Sequence, residues 1–550
     1  MMSFRRQIAN LSTVLGVLLL AVSTKGATEP IRVFIFAGQS NMLGADSRVD
    51  DIALYPPFVG LHEPQPEVRF WYCLGREQKT ESDDWSELRP VNGYVGPELS
   101  FARELLRADE GPVAIIKCAA GGTHLGGDWN PDDPQGFQMY PLMIDRVKRA
   151  LERLREQGLP YRLEGVMWHQ GENDMFNEGY LSGYGPNLAR LLERWRGDLG
   201  VPDLRFYIGE LCTKTIWGMD LRPRMAAITR GQRFVTDRDG HATFVPTSHV
   251  GVEIGEPVGL HYHYGTLGQL EHGVNYAAAY LRRIGKGKRP ERKLAKWPYQ
   301  KGEAVTLFVL AGHRNMEGER AFSQELGPEL RPLAGDNGSV AFRYSVGGGY
   351  RRSTDWEPLG PVGFYDTFGP ELVFGKVLSE RTQKKIAVAK FTHSGSQLVD
   401  WTPDGSEVAE RHVYPAFISF VRAAVVDLED RGHEVSLAGI FYHLGENETS
   451  MPPYRRQMSK WLAALIRGSR SDLGVPELPW VVSQQEPTNH KSVNGIDVVA
   501  EISALAEVDA YTTHLPILDF PRQRERLVLD TRGVLHLGKR LAEAYLGFSR

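Results

Sequence analysis

Cysteine is scarce: Cys73, Cys118 and Cys212 are the only three in 550 residues. That excludes a disulfide-stapled scaffold and a cysteine-rich zinc domain. No excess of one charge exists either, with 64 Lys+Arg against 68 Asp+Glu and a net charge of −4. This balance gives no sign of a polyanion-binding protein, and no nucleic-acid partner is expected. Apolar runs long enough to span a bilayer are missing, since a spanning helix needs about 20 residues. What remains is ordinary globular usage, 42% hydrophobic and 24% charged. The 11 tryptophans are generous and suit a protein that touches sugars.

The N-terminus is set apart. Arg5 and Arg6 precede an apolar run from Leu11 to Val22, followed by Ser23, Thr24, Gly26 and Ala27. This is the pattern of a secretory signal peptide over residues 1–27, with cleavage expected between Ser23 and Ala27. The expected location is secreted or periplasmic, with no stable membrane anchor after cleavage. Export permits a disulfide, but an odd cysteine count leaves at least one thiol over. A buried, unpaired Cys118 is an equally good reading.

The chain repeats itself. IRVFIFAGQSNMLG at Ile31 returns as VTLFVLAGHRNMEG at Val305, an offset of 274 residues. GPELSFARELL at Gly96 returns as GPELVFGKVLS at Gly369, offset 273. Trp168–Asp174 (WHQGEND) returns as Tyr442–Glu448 (YHLGENE), and DLGVPDL at Asp198 as DLGVPEL at Asp472, both offset 274. Matching segments in one order at nearly one offset define two copies of a domain, too long a period for a solenoid. The copies are read as 28–284 and 304–550. The basic, proline-containing stretch 285–303 between them is read as an exposed linker.

Within each copy, short apolar runs alternate with amphipathic helical stretches. In the first they fall at 32–37, 113–118, 163–168 and 204–209, with helical patterns at 98–106, 141–157, 188–195 and 274–283. Such alternation argues for an α/β fold with a mostly parallel sheet and helices on both faces. Ligands of such folds sit at the carboxyl ends of the strands.

Polar clusters stand at those ends. Gly38-Gln39-Ser40-Asn41-Met42 follows the first run, Gly121-Gly122-Thr123 the second, and His169-Gln170-Gly171-Glu172-Asn173-Asp174 the third. Gly259-Leu260-His261-Tyr262-His263 precedes the last helix. A serine on a glycine-flanked turn after a strand has an exposed Oγ. It needs a base, and His261 or His263 can supply one. The tetrahedral intermediate of acyl transfer needs hydrogen-bond donors, for which the Ser40 and Gly122 N–H groups and the Asn173 amide are candidates. An H-x-H pair can also bind metal, but no third ligand is evident, so no metal is expected.

On GQSNM (38–42), AGGT (120–123), WHQGEND (168–174) and GLH (259–261), the first copy resembles the SGNH-hydrolase superfamily, in its sialate O-acetylesterase and acetylxylan esterase branch, like carbohydrate esterase family 6. The resemblance implies two tandem flavodoxin-like α/β/α domains and cofactor-free, metal-free removal of O-acetyl groups from oligo- or polysaccharides. It also implies Ser40 as nucleophile, Ser40, Gly122 and Asn173 as oxyanion hole, and Gln39, Gln170 and Glu172 as supports.

The fourth motif departs from the family's Asp-x-x-His. Val258 stands three before His261, and Leu260 three before His263. The GLH string favours His261 as base, with His263 kept open. Glu256 or Glu253 is expected to replace the acid, unless a Ser–His dyad suffices. The second copy departs further: Arg314 replaces Ser40, while Gly395 and Asn447 match Gly122 and Asn173. A deletion falls where its histidine belongs, and His536 lies too near the last helix to substitute. That copy is expected to be inactive. The alternative to an esterase is a non-catalytic carbohydrate-binding protein that kept both folds.

Overall fold

The computed structural model describes residues 29–211, 215–216, 219–247, 263–287, 292–450, 452–487, 495–521 and 528–548. The expected signal peptide, Cys212, Glu253, Glu256 and His261 lie outside them.

The first domain has six principal parallel strands: β1 (Ile31–Gly38), β2 (Gln65–Leu74), β3 (Val113–Ala119), β4 (Tyr161–His169), β5 (Phe206–Gly209) and β6 (Ala242–Val245). Their order in the sheet is β2-β3-β1-β4-β5-β6. Without β2 the other five follow the flavodoxin-like order, and β2 extends one edge. β1 is buried on both faces, which is why it reads as a continuous apolar run. Val33, Ile35 and Ala37 pack on helices α2 (Met139–Glu156), α3 (Glu178–Leu199) and α4 (Arg222–Thr236). Phe34 and Phe36 pack on the opposite face, against α1 (Pro97–Arg107) and α5 (Gly265–Arg283).

The second domain repeats this with β7 (Ala304–Gly312), β8 (Asn337–Val346), β9 (Lys385–Thr392), β10 (Glu434–His443), β11 (Trp480–Gln484) and β12 (Thr512–Pro516), ordered β8-β9-β7-β10-β11-β12. Its helices are α6 (Glu371–Arg381), α7 (Tyr414–Asp430), α8 (Met458–Leu473), α9 (Val498–Glu507) and α10 (Thr531–Phe548). The sequence pattern missed β2, β6 and α4 in the first domain. β2 has an exposed polar first half and β6 only four residues, so neither gives a buried apolar run.

A buried ion pair recurs in both copies. Lys117 Nζ lies 2.7 Å from Glu98, and Lys390 Nζ 2.8 Å from Glu371. Each lysine also donates to the carbonyl closing the short helix after the first strand, Leu43 in one copy and Glu317 in the other. The pair thus ties β3 and the first turn of α1 to the turn that carries Ser40.

The domains pack together. Arg222 donates to Asp400 at 3.1 Å in a buried contact, Tyr365 donates to Glu104 at 3.1 Å, and Phe322 joins the first domain's core. The connecting segment is less exposed than its composition implies. Trp297 and Tyr299 pack on the second core, and the Tyr299 hydroxyl accepts from the Ala341 N–H at 3.0 Å. Cys73 and Cys118 are buried free thiols on neighbouring strands. Trp129 is a core residue, edge-on to Trp168, and not a sugar platform. Among the described residues no helix is long and apolar enough to cross a membrane.

Candidate active site

The chain passes from β1 to β3 on one side and reaches β4 on the other, so the crevice opens at the carboxyl ends of these three strands. β1 ends at Gly38, with φ +152°. A Cβ there would fall 1.9 Å from the His169 carbonyl, so only glycine lets β1 and β4 close up at this point. The Gln39 N–H then donates to that carbonyl at 3.0 Å, and Ser40 opens a four-residue helix ending at Gly44. Ser40, Gly121, Gly122, Asn173, Arg76 and His263 line one cavity of about 530 Å³.

Gln39 and Gln170 fix the donors. Gln39 Oε1 accepts from Gln170 Nε2 at 3.2 Å and from the Gly171 N–H at 3.1 Å. Gln39 Nε2 donates to Asn173 Oδ1 at 3.3 Å. That occupies the amide oxygen and turns the Asn173 NH₂ toward Gly122, whose hypothetical Cβ would lie 3.8 Å from it. Asp174 accepts from the Leu125 and Gly126 N–H groups at 2.8 and 3.0 Å, anchoring the loop after β3. Burial raises the Asp174 carboxyl above its ordinary range despite these bonds.

Glu172 is a buried brace. Burial alone would raise its carboxyl, but hydrogen bonding and charge from His169, with the Asn41 bond, leave it below its usual value. Asn41 donates to Glu172 at 2.6 Å and accepts from the Tyr264 N–H at 3.1 Å. It thereby seats the segment that carries His263. His169 and His124 make structural contacts: His169 is buried beside Tyr264, and His124 lies 3.3 Å from Asp128.

His263 Nδ1 lies 2.7 Å from Asp46 Oδ2. The sequence reading did not find this acid. Asp46 follows Ser40 by six residues and is 217 residues from His263 in sequence, with no motif to join them. Its φ of +59° places it in the left-handed region, which aspartate tolerates better than most residues. Arg76 was also missed. It follows β2, and a Cβ on Gly122 would come within 3.0 Å of its Nη1.

The second domain carries different residues at the corresponding positions. Asn315, the counterpart of Asn41, accepts from the Leu529 N–H at 2.8 Å, as Asn41 does from Tyr264. Val528 therefore stands where His263 stands, so the position is occupied by an apolar residue and is not simply deleted. At the common offset of 274, Arg320 replaces Asp46 and Arg314 replaces Ser40. Arg314, at the position that corresponds to Ser40, is buried against Glu446 at 2.6 Å and Glu319 at 2.9 Å. Arg320 donates to Tyr55 of the first domain at 3.1 Å. His536 lies on α10, 3.4 Å from Asp519.

Comparison with known proteins bears on the chain as a whole. The family model described as carbohydrate esterase, sialic acid-specific acetylesterase, matches residues 30–282 and again 304–547. A probable carbohydrate esterase of Arabidopsis thaliana is 32% identical over 189 residues, covering 32% of this chain and 66% of that protein. A solved structure of an Arabidopsis thaliana protein covers 46% of this chain and 99% of its own, with a TM-score of 0.35 and 21% identity. A carbohydrate acetylesterase of Xanthomonas citri covers 48% of this chain and 59% of its own, with a TM-score of 0.35 and 16% identity. With both of its halves matched, the chain belongs to the sialic acid-specific acetylesterase family of carbohydrate esterases, a family of carboxylic ester hydrolases.

Proposed function

We propose that the first domain removes O-acetyl groups from a carbohydrate, with Ser40 as nucleophile, His263 as base and Asp46 as the acid that orients it. The observation that carries this reading is the 2.7 Å contact of Asp46 with His263 Nδ1 beside the cavity that Ser40, Gly122 and Asn173 line. A carboxylate on Nδ1 sets the tautomer in which the Nε2 lone pair accepts a proton. Ser40 Oγ attacks the acetyl carbonyl carbon as its proton passes to Nε2. The oxyanion is held by the Ser40 and Gly122 N–H groups and the Asn173 NH₂. Collapse expels the sugar oxygen, which takes the proton from His263, and leaves acetyl-Ser40. Water, deprotonated by His263, then releases acetate. Arg76 adds positive potential beside the oxyanion. In this reading the base is His263, not the His261 that the GLH string favoured.

The second domain is proposed to be catalytically silent, since an arginine accepts no acyl group and a valine no proton. Export behind a cleaved signal peptide is likewise proposed from residues 1–27, and N-terminal sequencing of the exported protein tests it. The catalytic test is acetate release from p-nitrophenyl acetate and acetylated xylan by the wild type beside Ser40→Ala. Release must vanish in the variant; substantial residual release overturns the assignment.

A further inference from the structure

The domains meet over a second cavity of about 340 Å³, which shares no lining residue with the Ser40 site. The first domain contributes Glu210, just after β5, and Thr229, Arg230 and Arg233 on α4. The second contributes the residues following β8 and β9, together with Arg411. On the first domain the equivalent strand ends carry the catalytic crevice. Helix α4 therefore lies across the edge where the second domain's own site would open.

Two features of this cavity call for a ligand. The Arg411 side chain is only 8% exposed, and among the described residues its contacts are an ion pair with a Glu210 oxygen at 3.8 Å and the Met225 sulfur at 4.0 Å. A guanidinium carries five N–H donors, and these two contacts engage only one end of the fork that lines the cavity. Thr229 Oγ1 is also buried, with no hydrogen-bond partner among the described residues. The lining holds three arginines against one carboxylate, and Glu210 keeps its other oxygen on the Thr247 N–H at 3.0 Å. The net charge of −4 over the whole chain hides this local excess.

We propose that this cavity binds a sugar carboxylate. Arg411 takes the carboxylate through its planar fork, Thr229 donates a further bond, and Arg230 and Arg233 guard the mouth. Gly349 and Tyr350 line this cavity and also a neighbouring depression of about 740 Å³, whose lining holds the cations Arg292, Lys293, Arg351, Arg352 and Arg431 against the carboxylates Asp355 and Glu357. The ligand is accordingly an oligosaccharide bearing acidic residues, and the inactive domain holds such a glycan for its active neighbour. The choice of a sugar as carrier of the anion rests on the carbohydrate reading above.

The test is calorimetric titration of the full-length protein at low salt with trigalacturonic acid, beside xylotriose and inorganic sulfate. The wild type and Ser40→Ala should bind the acidic trimer equally. Arg411→Met should weaken binding at least tenfold. The exposed pair Arg230→Ser/Arg233→Ser, which does not endanger folding, should weaken it several-fold at an unchanged melting temperature. Affinity for the trimer that both variants leave unaltered, or no binding by the wild type, overturns the proposal. Equal affinity for xylotriose removes the anion from it, and equal affinity for sulfate removes the sugar. Hydrolysis of p-nitrophenyl acetate is measured on each preparation. Intact hydrolysis without trimer binding sinks this inference alone, whereas binding without hydrolysis sinks the catalytic reading alone.

Discussion

Asp46→Asn isolates one interaction. The substitution keeps the size of the side chain and removes the charge that faces His263 Nδ1 at 2.7 Å. Two unit charges about 4 Å apart interact by about 1 kcal/mol in water and about 4 kcal/mol at an effective dielectric of 20. The Asp46 side chain is 59% exposed, so its field is partly screened and the effect belongs between those limits. A loss of about 1.5–3 kcal/mol corresponds to roughly a 10- to 100-fold fall in kcat. That is smaller than the roughly 10⁴-fold loss on neutralising a fully buried triad acid. KM for p-nitrophenyl acetate should not change, because Asp46 acts through His263 and not on substrate. In a His263→Ala background the same substitution should cost nothing further, since the partner it acts through is gone. A kcat within threefold of wild type, or a full additional loss in the His263→Ala background, would refute the assignment of Asp46.

Three other outcomes follow. Asn173→Ala should lower kcat about 10²- to 10³-fold, the loss expected on removing one oxyanion donor, with little change in KM; steady-state kinetics with p-nitrophenyl acetate decide it. Arg314→Met should leave hydrolysis intact yet destabilise the second domain by about 3–5 kcal/mol, because it strands the buried Glu319 and Glu446; thermal melts followed beside activity check both halves. Burial pushes Glu448 up to about 8 and Glu317 up to about 7, both above the unfolded value of 4.5. At these two sites the folded state therefore binds more protons, and their contribution to stability is full below pH 4.5 and lost as pH rises through 7 and 8. Glu448→Gln should raise the melting temperature at pH 8 and flatten its pH dependence; an unchanged slope in calorimetry would count against it.

Much of the architecture is local and therefore legible. β1, β3 and the second half of β4 are buried on both faces, so each reads as a short apolar run. The repeated offset exposed the duplication without any knowledge of the fold. Ser40, Gly122 and Asn173 could be named because each sits within a few residues of a strand end and one sheet edge gathers such ends, whereas Gln39, Gln170 and Glu172 came from the family resemblance. The elements missed were those whose burial is partial or brief: β2 at the edge, β6 with its four residues, and α4 against the other domain.

Sequence by itself determined the α/β class, the tandem domains, the place of Ser40 at the end of the first strand and its replacement by Arg314 in the second copy. Tertiary structure alone decided which acid faces His263, because Asp46 and His263 meet only when the last helix packs back beside the first strand. It likewise identified Val528 as the counterpart of His263, through matching hydrogen bonds to Asn41 and Asn315. It alone assembled the arginine-lined cavity from α4 and the second domain's strand ends. Periodicity and motif spacing record what a residue's chain neighbours do. A contact between segments hundreds of residues apart leaves no such record, and is fixed only by the packing of one whole layer on another.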